Sequence, residues 1–281
     1  MQPSGLRNIL LTVSYDGSGF CGWQKQTKAG KETFRTVQGE LEKALSKIHK
    51  HTVETSGSGR TDSGVHAVGQ AVNFFTDIKS MHAENFIPAL NSILPRDIRI
   101  VNSLEVSPNL HARFSSLSRT YRYFIKCGKT VMAHELPYCL HIRRYPNICV
   151  LNEMAACLSG ETDCTVFSAV GDQSTSKHRY IKKSVFFIEN GFFIFEICAN
   201  AFLWKMVRSI TGTILRLEEG RFSKTEFKKI ISGKKREDAG PTAPPHGLFF
   251  WSAEYPDELI YPNTLKAGSA EKCIVKTSKN L

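Results

Sequence analysis

The chain has 281 residues, 41% of them hydrophobic, which is enough for one large or two small domains around a real core. Its net charge of +11 and pI near 9.3 fit a polyanionic partner such as nucleic acid, and fit equally a chain that charge keeps in solution. No run approaches the roughly 20 apolar residues of a membrane span, Ile9 to Val13 is too short for a secretory signal, and none of the eight cysteines forms a zinc-type C-x-x-C pair.

In chain order, Asn8 to Tyr15 is aliphatic and runs into Asp16-Gly17, a strand entering a turn. Thr36 to Lys50 places Val37, Leu41, Ala44, Leu45 and Ile48 at helical spacing. His49 and His51 form an isolated H-x-H, too few ligands for a metal. Gly57 to His66 is irregular, Gln70 to Thr76 a strand, Asn85 to Ile93 a short helix stopped near Pro95, and Ile98 to Leu104 a strand. A boundary is expected near Pro108. Beyond it, Thr120 to Lys126 reads as a strand, with Tyr121 and Tyr123 on one face and Arg122 on the other. Asn152 to Leu158 is helical. Val185 to Glu189 and Phe192 to Ile197 flank Asn190-Gly191, the signature of a tight hairpin. Ala201 to Leu217 reads as one long helix with Phe202, Met206, Val207, Ile210 and Ile214 inward. Ser223 with Glu226 makes a capping box for a last helix ending at Gly233. The residues after Pro256 lose periodicity and read as a mobile tail.

The stretch with most chemistry is Gly57-Ser58-Gly59-Arg60-Thr61-Asp62-Ser63-Gly64-Val65-His66-Ala67. Its glycines permit unusual dihedrals and close approach of a second backbone or a ligand. An arginine near a carboxylate favours the ionised form that a nucleophile or base needs. By residue type alone the segment is either a surface turn with a local Arg60–Asp62 ion pair or a loop presenting Asp62 to a substrate.

Gly59 to Ala67 resembles the G-R-T-D-A-G-V-H-A signature of the tRNA pseudouridine synthase A family, with Ser63 in place of alanine. Further motifs of that family follow in order from Asn8 to Pro256. They are Tyr15-Asp16-Gly17-Ser18, Gly22-Trp23-Gln24, Thr36-Val37-Gln38-Gly39, Leu94-Pro95-Arg96-Asp97-Ile98 and His111-Ala112-Arg113-Phe114-Ser115 in the first part. Arg119 to Tyr123, Phe202 to Arg208, Ala239 to Pro244 and Gly247-Leu248 complete the set.

The resemblance implies an α+β protein of two α/β halves, 1–107 and 108–256, each with an antiparallel sheet backed by helices, with the active site in a basic cleft between them and 257–281 as tail. It implies a cytoplasmic homodimer that isomerises uridines 38, 39 and 40 in the anticodon arm of tRNA without metal or organic cofactor. Asp62 would be the catalytic carboxylate, acting on C1′ as a nucleophile or on the 2′ proton as a base. Tyr121 would stack on the flipped base, Arg60 hold the backbone of the flipped nucleotide, Arg208 sit near the carboxylate, and Leu248 close the pocket. His66 reads as a loop organiser rather than a base. Lys25, Lys28, Lys31, Arg35, Arg143, Arg144, Lys182 and Lys183 offer phosphate contacts. Three rival readings remain open: a related synthase with another RNA target, a non-catalytic RNA-binding protein, and a base-excising enzyme.

Overall fold

A computed structural model describes residues 5–261 apart from 29, 30 and 33. They fall into two compact units, one holding the chain up to Leu117 and from Phe250 onward, the other Ser118–Phe249. Each is a mixed α/β unit with a mainly antiparallel sheet backed by helices.

In the first unit β1 (Arg7–Tyr15) leads to the two-residue strands β2 (Thr27–Lys28) and β3 (Lys31–Glu32), which pair with each other. Helix α1 (Val37–His49) follows, then β4 (Ser56–Gly57), β5 (His66–Thr76), α2 (Phe86–Asn91) and β6 (Ile98–Val106). β1 lies between β5 and β6, antiparallel to both, and β4 pairs with β5. Alternation sends Ile9, Leu11, Val13 and Tyr15 of β1 to one buried face and Leu10 to the other.

Helix α1 starts where Thr36 accepts a hydrogen bond from Gly39 N–H (3.2 Å), and it buries Val37, Leu41, Ala44 and Leu45. His49 belongs to its core face. One ring nitrogen bonds to the Leu45 carbonyl and the other to Thr76 Oγ1, each at 2.8 Å, and the ring stacks on Phe86. Leu10 packs on the opposite side with Ala71, Val106, Leu110, Ala112 and Ile260.

The second unit contains β7 (Ser118–Cys127), β8 (Leu140–Ile142), α3 (Ile148–Ala156), β9 (Gly160–Asp163), β10 (His178–Glu189), β11 (Phe192–Ala199), α4 (Met206–Glu219) and α5 (Lys224–Gly233). Its strands run in the order β8-β7-β11-β10-β9, with only β7 and β8 parallel. Asn190 and Gly191 both have positive φ (49° and 76°), as the hairpin between β10 and β11 requires. The capping box of Ser223 and Glu226 is formed, and α5 ends at Gly233. Inside, Phe186 stacks on Phe195 and Phe167 on Phe227, while Asn152 of α3 bonds both backbone groups of Phe186. Strand β12 (Leu248–Glu254) carries the chain back into the first unit, where α6 (Asp257–Ile260) ends the described chain.

Four expectations change. The division follows Leu117 rather than Pro108, because the intervening segment is tied into the first unit. Asn8 Nδ2 donates to the Ser107 and Leu110 carbonyls, Tyr255 Oη to the Ala112 carbonyl, and Leu117 N–H to the Glu254 carbonyl. Helix α3 begins four residues before Asn152, capped by Asn147, which accepts from Cys149 and Val150 N–H. Helix α4 begins at Met206, because Lys205 has a left-handed backbone (φ 62°) that interrupts the helical spacing of Phe202 and Met206. Residues 257–260 are helical, with Ile260 buried and the Leu259 carbonyl accepting from Ser107 N–H. The remainder of the expected tail, 262–281, lies outside the described residues.

Candidate active site

Asp62 lies on the loop between β4 and β5, and both ends of that loop are fixed. At its start Ser58 N–H donates to the Ala71 carbonyl (2.8 Å), Ser58 Oγ to Gln70 Oε1 (2.7 Å), and Gln70 Nε2 to the Gly59 carbonyl (2.7 Å). At its far end Gly17 N–H donates to His66 Nδ1 (3.0 Å), and His66 is fully buried. That histidine therefore organises the loop. Val65 N–H donates to the Asp62 carbonyl (3.2 Å), closing the turn that carries the carboxylate.

The segment after β1 supports the middle of the loop. Trp23 N–H donates to the Thr61 carbonyl (3.1 Å), Tyr15 Oη shares a hydrogen bond with Thr61 Oγ1 (2.8 Å), and Ser63 Oγ donates to the Phe20 carbonyl (3.1 Å). Gly22 makes this approach possible. Its φ is 89°, and a side chain there would put Cβ 2.5 Å from the Thr61 carbonyl oxygen. Asp62 is left half-buried, with Arg60 and Ser63 exposed on either side.

A further layer holds the support. Asp16 N–H donates to the Asp97 carbonyl (3.0 Å), and the Asp97 carboxylate takes a two-pronged bond from Arg35 (2.7 and 2.9 Å). That bond keeps Arg35 still more firmly charged than an ordinary arginine. The Arg35 carbonyl accepts from Cys21 N–H, and its guanidinium covers the Phe20 ring. Gln38 accepts from Lys25 N–H and Gln24 Nε2, which sets the exit of the same segment against α1. The motifs around Gly22, Gln38 and Asp97 are thus the mechanical support of one loop. The types Gly, Gln and Asp are visible in the sequence, but their shared target is not.

In the second unit Tyr121 and Tyr123 share a face of β7, as alternation requires, but their surroundings differ. Tyr123 is fully buried, its hydroxyl donates to the Pro244 carbonyl (2.8 Å), and burial pushes its phenol well above the ordinary range. It is a core residue. Tyr121 retains 7% exposure and meets Phe202 edge-on, with centroids 4.9 Å apart. Leu248, buried, opens β12 directly after Gly247.

Arg208 sits in the first turn of α4. Its Nε donates to the Ala243 carbonyl (2.8 Å), and its own carbonyl accepts from Ala243 N–H (3.1 Å). This two-way clamp comes from a strap, Ala239 to Pro244, that crosses α4 at Gly212, where any Cβ would overlap the Pro241 carbonyl. Gly240 N–H donates to Thr213 Oγ1 (2.9 Å) to lock the crossing. The start of α4 is held by Asp172, which no motif or spacing in the sequence singles out. Asp172 accepts from Trp204 N–H (2.6 Å), Lys177 Nζ and Ser174 N–H. Its burial would raise its pKa, but these donors outweigh that and hold it well below the usual carboxylate range.

Several of the basic residues proposed for phosphate contact are committed elsewhere. Lys25 pairs with Glu42, Arg35 with Asp97, Arg144 with Glu218, and Lys183 with Glu196. The side chains of Lys28 and Lys31 lie outside the described residues, whereas Arg143 is exposed.

A family model described as tRNA pseudouridine synthase matches residues 11–115 and 154–256. The chain belongs to the tRNA pseudouridine synthase family. A protein of Treponema denticola named tRNA pseudouridine synthase A is 74% identical over 254 residues, covering 90% of this chain and 95% of the relative. Its namesake in Treponema pallidum is 55% identical over 92% of this chain and 90% of its own length. That of Caldicellulosiruptor saccharolyticus is 41% identical over 89% of this chain and all of its own. The supported loop and the strap that clamps Arg208 both fall within the matched residues.

Proposed function

We propose that this protein isomerises uridine to pseudouridine in tRNA, at positions 38, 39 and 40 of the anticodon arm, with Asp62 as the catalytic residue. The observation that carries the reading is the Gly59–Ala67 segment, a polar loop fixed from both sides that leaves a half-buried carboxylate beside an exposed arginine. A plain surface turn needs no such support, whereas a carboxylate that must meet one sugar carbon does. The reaction breaks the N1–C1′ bond, turns the base, joins C5 to C1′ and transfers the C5 proton away while N1 gains one. No electron or outside group is consumed, so no metal or organic cofactor is called for.

In this reading Asp62 acts at C1′ or at the 2′ proton. Tyr121 stacks on the base once it has left the helix, with its hydroxyl placed to assist removal of the C5 proton. Arg60, exposed beside Asp62, holds the backbone of the flipped nucleotide. Arg208, held by the Ala243 clamp, is read as the partner of that chemistry from the second unit, and Leu248 as the residue that closes the pocket. The protein works as a homodimer in the cytoplasm; among the described residues no helix is long and apolar enough to cross a membrane.

The test is incubation of the pure protein with unmodified tRNA, followed by mass-neutral modification mapping. Pseudouridine at 38, 39 and 40 is expected. Modification confined to other positions would point to a different RNA target, release of free uracil to base excision, and bound but unchanged tRNA to a binding protein.

A further inference from the structure

The His111-Ala112-Arg113-Phe114-Ser115 motif takes no part in the chemistry above, yet the first unit anchors it with unusual care. Ala112 is fully buried. Its N–H donates to Asn73 Oδ1 (2.9 Å), and its carbonyl accepts from Tyr255 Oη (2.7 Å). Asn73 in turn donates to Asn8 Oδ1 (3.0 Å), and Asn8 spends its own amide on the Ser107 and Leu110 carbonyls (2.9 Å each). Both asparagines are buried, so this satisfied polar network fixes one backbone position from inside the protein.

The turn outside it is closed as well. His111 N–H donates to Ser115 Oγ (3.0 Å), Ser115 N–H to the His111 carbonyl (2.9 Å), and Arg113 N–H to His111 Nδ1 (3.1 Å). From this frame Phe114 projects with 77% of its surface in water. The His111 ring lies 4.4 Å from its centroid and the exposed Arg113 guanidinium 5.7 Å away.

Single exposed apolar residues are ordinary on a protein surface. A phenylalanine on a backbone fixed at the next residue but one, flanked by a flat ring and a cation, is not merely left over. Such a group offers a π-face to a nucleobase and a positive charge to the phosphate beside it. The net charge of +11 favours the same polyanionic occupant.

We propose that Phe114, with His111 and Arg113 beside it, is a stacking site for an unpaired base of the RNA substrate. The inference rests on the tRNA reading above. It assigns to Phe114 a share of substrate affinity, not of the chemical step.

The test compares wild type with Phe114→Ala, Phe114→Leu and Phe114→Trp. Binding to an unmodified tRNA transcript is measured at one salt concentration, together with kcat, KM and particle mass in solution. Loss of one stacked base corresponds to roughly a 5- to 150-fold weaker Kd. Phe114→Ala and Phe114→Leu should both show it, with KM raised and kcat within about twofold. Phe114→Trp should bind at least as well as wild type. The inference is overturned by unchanged affinity in Phe114→Ala, by full affinity in Phe114→Leu, or by a lost affinity that accompanies a fall in particle mass. The last result would place the ring against a second copy of the chain. An active wild type with four equal affinities sinks this inference alone. An inactive wild type whose tRNA affinity still depends on the ring sinks the proposed chemistry and leaves the stacking site standing.

Discussion

Asp62 and Tyr121 are the residues on which the proposed chemistry turns. Asp62→Asn keeps the size of the side chain and removes its charge, while the bonds that Tyr15, Trp23, Ser58 and Gln70 make to the loop are left in place. Pseudouridine should become undetectable while tRNA affinity stays within a few-fold; measurable turnover would remove Asp62 from the catalytic role. Tyr121→Phe keeps the ring and its edge-on contact with Phe202. If the hydroxyl helps to move the C5 proton, product formation should fall by roughly 10²- to 10⁴-fold with near-normal binding. A normal rate would leave the ring as the only part that matters. At this scale the sequence was informative where chemistry is written in residue type. Asp62 stood out in its loop, and alternation put Tyr121 and Tyr123 on one face without telling the core residue from the other. The shared target of Gly22, Gln38 and Asp97 was not visible, because residues far apart in the chain carry no local mark of a common neighbour.

Elements decide how those side chains are held. The strap over α4 makes two bonds to Arg208 through one residue, Ala243, and it rides on a backbone contact at Gly212. Gly212→Ala should therefore lift the strap. Overpacking of this kind costs about 1–3 kcal/mol, readable as a lower unfolding midpoint, and kcat should drop because Arg208 loses its clamp. A lower midpoint with unchanged kcat would show that the strap stabilises the fold without positioning the arginine. Periodicity revealed the body of α4 and misplaced its start, since Phe202 and Met206 continue the apolar spacing across a break at Lys205. That break is fixed by Asp172, more than thirty residues earlier, and no local pattern encodes such a partner. Helix α1 and the β10–β11 hairpin were readable because their signals, Thr36 and Asn190-Gly191, are local.

For the whole molecule the governing quantity is charge. Many basic side chains are neutralised by carboxylates within the fold, so the RNA-facing excess is smaller than a count of lysines and arginines suggests. Affinity for whole tRNA should still fall steeply as salt rises, because bound phosphates release counterions. An isolated anticodon stem-loop should be isomerised more slowly than intact tRNA if a wide basic surface aligns the substrate. Binding measured against salt, with turnover on both RNAs, checks this; a flat salt response with equal turnover would make recognition local. The α/β character of both units was legible from the order of elements. The division after Leu117 was not, because it depends on Asn8 and Tyr255 reaching back from distant parts of the chain.

The support beneath Asp62 also sets an order of events during folding. The residues that shape the loop, Tyr15 to Trp23, are synthesised about forty residues before it. They cannot grip it until β5, as far as Thr76, has emerged and paired along β1. The turn that carries Asp62 is therefore a late product of a long-range closure, not a local structure that forms on its own. A nascent chain cut short within β5 would contain every residue of the signature and still lack the shape that gives it meaning.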